Sequence, residues 1–253
     1  MPMRSYGQFC PVAKAAEIFA ERWTPLIVRE LACDSYRFNE LERGLPGISR
    51  SLLSQRLRSL ERAGIVERQF GTTNRAVRYR LTPAGQELSD VVLLLGEWGQ
   101  RWVNSEISLD ELDPTLLMWD VHRRINVPLL PDRRVVAQFD FIGARRQSIW
   151  LILERPEPSV CFKDPGFDVD LFITADTMAL HRVWIGHMSY ANALRAGLID
   201  VDGPSELTRS LPAWLALSMF APFSTAHPPT TGRAPTGERR EAERALTSRS
   251  GHR

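Results

Sequence analysis

The stretch Ile48–Gly64, "ISRSLLSQRLRSLERAG", decides how the chain is read. At about 100° per residue, a helix gathers Leu53, Leu57 and Leu60 into one narrow stripe suited to a core. Ser51, Gln55, Arg58 and Arg62 fall opposite, Ser54 lies beside them, and Arg50 and Arg56 flank the two edges. Ser49 suits the N-cap, where a hydroxyl accepts from a free backbone N–H, and Gly64 suits the stop beyond the last turn. The outward side of the first two turns carries no acid, whereas an ordinary solvated face tends to mix both signs.

The flanking sequence gives that helix a setting. Upstream, "CPVAKAAEIFAERWTPLIVREL" has helical periodicity, with Val12, Ala16, Phe19 and Trp23 on one face and Pro25 dividing it in two. "RFNELERG" forms a further helix with Phe38 and Leu41 inward, and "LPG" turns the chain. Downstream, "IVERQF" and "AVRYRL" read as two strands joined by "GTTN", with Arg78 and Arg80 alternating against Val77, Tyr79 and Leu81. Thr82 and Pro83 then cap a helix that becomes strongly apolar at "VVLLLGEWGQRW". Helix, turn, polar-faced helix and hairpin is the order of a winged helix-turn-helix, whose second helix enters the DNA major groove. On that reading Ser51, Ser54, Gln55 and Arg58 face base edges, and Arg50, Arg56, Arg75 and Arg78 hold phosphates.

Charge supports an anionic partner for this block alone. Between Arg37 and Arg80 stand ten arginines and four glutamates, a local excess of +6 in a chain whose net charge is +2. The alternative is a solvated basic face. Of 32 basic residues only Lys14 and Lys163 are lysine, so phosphate contacts would use guanidinium forks. There is no apolar run of about eighteen residues and no apolar leader in "MPMRSYGQFC", so no membrane association is expected and the cytoplasm is the expected compartment.

The segments from Cys10 to Trp102, including the cysteine–proline start and "YRLTPAG" at the end of the wing, resemble the HxlR-type group of bacterial winged-helix regulators. The resemblance implies a homodimer, built largely from the first and last helices, on a roughly palindromic operator of double-stranded DNA. Some members of that group sense oxidants or electrophiles at the position of Cys10. A thiol at a helix start, with Lys14 one turn on, can react as thiolate. A packing role is the alternative for Cys10.

Beyond "SEISLDELDP" the chain reads as a helix, "TLLMWDVHRRIN", followed by short strands and helices. The segment Gly166–Phe223 has an acid–aliphatic strand, an Asp-Thr helix start, "ALRAGLIDVDG" and a closing helix through "SELTRSLPAWLALSMFA". With the rest of Thr115 to Phe223 it resembles the sterol carrier protein type 2 fold. That implies a curved sheet with helices over an apolar tunnel for a lipid-like molecule. Trp119, Trp150, Trp184, Met188, Trp214 and Met219 are candidates for an effector pocket, and core packing is the alternative for each.

The expected fold class is therefore α+β in two domains. Residues 1–104 form a winged helix-turn-helix, mainly α with a β-hairpin wing. Residues 105–114 form a linker, 115–223 an α/β sandwich-like lipid-carrier fold, and 224–253 a disordered tail. The expected function is DNA-binding transcription regulation under an apolar small molecule. One alternative is a repressor sensing through Cys10, with the second domain only a docking module. More remote are a lipid carrier and an enzyme. Three scattered cysteines, and histidines 181 and 187 six apart, match no metal motif, and no phosphate loop or nucleophile elbow is present. No cofactor, metal or catalytic residue is expected.

Overall fold

The computed structural model describes residues 5–70, 77–103, 108, 111–143 and 145–224. Arg75, the "GTTN" tip, half of the expected linker and the tail from 225 onward lie outside the described residues.

Helices α1 (Pro11–Phe19) and α2 (Thr24–Ala32) are separated at Trp23, which takes a left-handed backbone with φ 77°. The proline break is therefore real, but the turn centres just before Pro25. No α1 residue is buried, and Val12, on the face it shares with Ala16, Phe19 and Trp23, is 75% exposed. Only Phe19 and Trp23 of that face pack against a core, with Ile18 beside them. Helix α3 (Phe38–Gly44) starts where the Glu40 carboxylate accepts from the Arg37 backbone N–H at 2.8 Å. Helix α4 (Arg50–Arg62) starts at Ser49, whose Oγ accepts from Leu52 N at 3.2 Å, and stops before Gly64 at φ 70°. Strands β1 (Val66–Phe70) and β2 (Val77–Leu81) pair antiparallel.

Helix α5 (Pro83–Trp102) is locked to the wing through Thr82. Its Oγ1 accepts from Gly85 N at 3.1 Å and donates to Gly64 O at 2.6 Å. A Cβ on Gly85 would lie 2.1 Å from Ile65 O, so only glycine lets α5 begin against the entry to β1. Ile27, Val28, Leu31, Leu41, Leu45, Leu53, Leu57, Leu60 and Val92 form the core of this unit.

A second core lies under a five-stranded sheet of order β5-β4-β3-β6-β7. Its strands are β3 (Val135–Ile142), β4 (Gln147–Leu153), β5 (Ser159–Cys161), β6 (Leu171–Asp176) and β7 (Ile199–Asp202). Neighbours run antiparallel except β3 and β6, which are parallel. Alternation sends Phe139, Phe141, Ile149, Leu151, Leu171 and Ile173 to one face. Helices α6 (Pro114–His122), α7 (Thr177–Trp184), α8 (Tyr190–Arg195) and α9 (Ser205–Trp214) supply Met118, Leu180, Ala193 and Leu211 to that core.

One expectation is corrected here. The closing helix ends at Trp214, seven residues before the quoted segment does, because Trp214 O accepts from Asn126 N at 2.8 Å and Leu215 bridges to Ile125. The segment expected to be a linker is structured at its end. Leu112 is buried, and Asp113 caps α6 by accepting from Thr115 N at 2.8 Å.

The two cores are joined by a buried ion pair. Glu30 on α2 is fully buried and meets Arg29 at 2.6 Å and Arg123, just past α6, at 2.9 Å. Gly44 makes room, since a Cβ there would lie 1.8 Å from Glu30 Oε2. A second joint is Phe220, whose ring would meet a Cβ on Gly96 of α5 at 2.4 Å.

Candidate nucleic-acid interface

Leu53, Leu57 and Leu60 anchor α4 at 0–2% exposure, which forces Ser51, Gln55, Arg58 and Arg62 into solvent. Ser54 is half-buried, and its Oγ accepts from Arg58 Nη1 at 3.2 Å, so the guanidinium lies back along the helix face. Arg62 Nε similarly reaches Arg58 O at 3.3 Å. The exposed side of the first two turns presents hydroxyl, amide and guanidinium groups, all able to donate to bases or phosphates.

The two flanking arginines part company. Arg50 is 64% exposed, stacks on Phe38 at 5.0 Å and pairs with Glu42. Arg56 is only 20% exposed, pairs with Glu21 at 2.6 Å, and has a buried Nε without a partner. Its placement braces α4 against the α1–α2 turn. Unlike the exposed Arg50, it offers a phosphate little accessible surface.

The wing is fixed to the start of α3. Tyr79 N donates to Tyr36 O at 2.8 Å, and Arg37 bridges to Arg78. Arg78 is exposed, whereas Arg80 folds over the Tyr36 ring at 4.7 Å. Arg68 on β1 is a wing cation that strand alternation alone did not single out. It is exposed, opposite Tyr79, with its guanidinium 4.9 Å from the Phe70 ring. With Phe70 paired to Val77, Arg68 sits across from Tyr79 and Arg78 across from Gln69, so the two arginines take opposite faces of the hairpin.

A tri-helical core, an acid-free exposed second helix and a cationic hairpin is the helix-turn-helix arrangement. The family described as HxlR-like helix-turn-helix matches residues 18–107. YvaP of Bacillus subtilis, an uncharacterized HTH-type transcriptional regulator, is 36% identical over 100 residues, 39% of this chain and 93% of that protein. The chain belongs to the HxlR-like helix-turn-helix family. An HTH-type transcriptional regulator of Mycobacterium tuberculosis is 40% identical over 93 residues, and the alignment covers 36% of this chain and 58% of that protein. The reduced form of the transcriptional regulator YodB from B. subtilis shares 33% identity over 38% of this chain and 97% of that one, with a TM-score of 0.34. As a member of this family the chain is a DNA-binding transcriptional regulator. The family match ends at residue 107, before α6, so the sheet unit is additional to it.

Cys10 is half-buried at the N-cap of α1. Lys14, expected to assist it, instead pairs with Glu17 at 3.1 Å. Among the described residues no helix is long and apolar enough to cross a membrane, and no cluster of three or more His, Cys, Asp or Glu could hold a metal ion.

The six residues named for an effector pocket do not converge. Trp214 is core, with Nε1 donating to Leu129 O at 2.9 Å. Trp150 is paired with Gln138, its Nε1 donating to Gln138 Oε1 at 3.1 Å, on the sheet face turned away from the core. Trp119 is buried between the guanidiniums of Arg43 and Arg123, at 5.6 and 5.7 Å. Met188 packs against the sheet core. Trp184 and Met219 do share a cavity of about 500 Å³, but it lies between the two units rather than inside the sheet unit. Arg29, Cys33, Gln100 and His181 also line it. Sequence reasoning missed these because the surrounding segments lie far apart in the chain.

Proposed function

We propose that this regulator binds a two-fold symmetric operator as a homodimer, with α4 of each copy in the major groove. The acid-free exposed face of α4 carries the proposal. Ser51, Ser54, Gln55 and Arg58 read bases, Arg50, Arg75 and Arg78 hold phosphates, and Arg56 positions α4. Dimerisation is supported by α1, the residues just before it and α5, where Phe9 is 99% exposed, Val12 75%, Leu94 60% and Trp98 54%. Such a patch on a monomer marks an interface.

The sheet unit, in this proposal, is an effector module of the sterol carrier type, acting in the cytoplasm. One sheet covered on one face by helices supports that reading. An effector shifts DNA affinity only by binding one arrangement of the dimer more tightly. Genome-wide occupancy of the tagged protein tests the whole: discrete palindromic sites are expected, and uniform occupancy would count against sequence-specific reading.

A further inference from the structure

The cavity between the two units has the size and lining of a ligand site. At about 500 Å³ it lies in the range of pockets that enclose small organic molecules. Its apolar wall includes Leu116, Leu117, Trp184, Ile185, Met219 and Phe220, from α6, α7 and the turn after α9. Two aromatic rings in that wall favour a flat occupant.

The half-buried charged groups around it, Arg29, Arg123, Asp113 and Asp120, are already in ion pairs. Arg29 and Arg123 hold the buried Glu30, and Arg123 also holds Asp120. Asp113 caps α6 and meets Arg145 at 3.4 Å, Glu111 accepts from Ser108, and Asp34 accepts from the Tyr36 hydroxyl. Arg124 Nε donates to Leu217 O at 3.3 Å. The uncompensated charges of the lining are thus at its exposed residues, Asp34, Glu111 and Arg124, and an ionic ligand buried against the paired groups would be costly. Neutral polar groups remain. Gln100 makes only long contacts, 3.5 Å to Ile185 O and 3.3 Å to His187, and burial lowers the His181 pKa, favouring the uncharged ring.

We propose that this cavity binds one neutral, flat, largely apolar molecule carrying a carbonyl or hydroxyl group. The proposal rests on the effector reading above, but relocates the site from the sheet unit to the junction. Arg29 and Cys33 bring α2 into direct contact with the occupant. Ile27, Val28 and Leu31 of the same helix pack in one core with Leu53 and Leu57 of α4. Occupancy and DNA affinity must then influence each other by the same factor.

Nile red, a flat neutral dye with one carbonyl, tests this on the full chain without DNA, so the regulator assignment is not at stake. A saturable fluorescence rise with one site per chain is expected. Bound dye should slow alkylation of Cys33 by N-ethylmaleimide and leave Cys10 and Cys161 unchanged. Leu116→Trp and Ala32→Trp, which fill the space, should each weaken the dye about tenfold or more. Phe172→Ser, on the far face of the sheet, should not. If a filled variant fails to fold, Cys33 protection in the native chain decides. Absent saturable binding, or binding without Cys33 protection, would overturn the proposal.

Discussion

Arg123 Nη1 lies 2.9 Å from Glu30 Oε2, tying the sheet unit to the last turn of α2 through a carboxylate that has no exposed surface. A buried carboxylate is tolerated only while paired, so losing one partner leaves charge undercompensated. Arg123→Met should lower the unfolding free energy by about 3 kcal/mol in urea titrations. The double variant Glu30→Gln/Arg123→Met should cost less than the two single changes added. Additive losses would show that the pair is not coupled.

Gly44 and Gly99 make a matched contrast. A Cβ on Gly44 would collide with Glu30, whereas one on Gly99, inside α5, meets nothing within 4 Å. Gly99→Ala should stabilise by roughly 0.5–1 kcal/mol through helix propensity. Gly44→Ala should destabilise despite the same propensity gain, because the carboxylate must leave its arginines. Thermal melting compares them directly.

That contrast shows where sequence reading ran out. The α4 stripe, the Ser49 and Thr82 caps and the Gly64 stop were legible because each depends on residues within one or two turns. The glycine at position 85 was legible as part of "YRLTPAG", but its cause, the approach to Ile65 O, was not. The Arg56 pair was not legible because its partner Glu21 lies 35 positions away, across a turn whose geometry Trp23 sets. The cavity was invisible for the same reason: α2, α6 and α7 each give it a few unremarkable residues.

Stability should fall on mild acidification through His122. Burial pulls its pKa down to about 4, against the backbone hydrogen bond to Trp119 that raises it. The unfolded chain protonates first, near the ordinary value of about 6.5. The contribution is therefore whole above that pH and shrinks as pH falls toward about 4, by on the order of 3 kcal/mol. His122→Gln should flatten the stability profile in that window. An unchanged profile would assign the acid sensitivity elsewhere.

The arginines of the interface should separate by experiment. Arg58→Ala should cost about 1–3 kcal/mol on the operator and relax preference at one base pair. Arg78→Ala should weaken all duplexes alike and reduce the salt slope by about one. Arg56→Ala should lower the melting temperature while sparing base preference. Fluorescence anisotropy across salt concentrations and operator variants reads all three.

The exposed α5 face predicts a dimer that one charge can break. Leu94→Glu should move sedimentation from dimer to monomer and weaken operator binding while leaving the fold intact. A variant that sediments like the parent would place the interface elsewhere.

The central claim is that two copies of α4 address one duplex. Hydroxyl-radical footprinting of the native protein, on a DNA fragment it occupies in its own genome, tests this most directly. Two symmetric protected patches are predicted, centred about 34 Å apart, one helical turn. A single asymmetric patch, or protection with no two-fold relation, would contradict it.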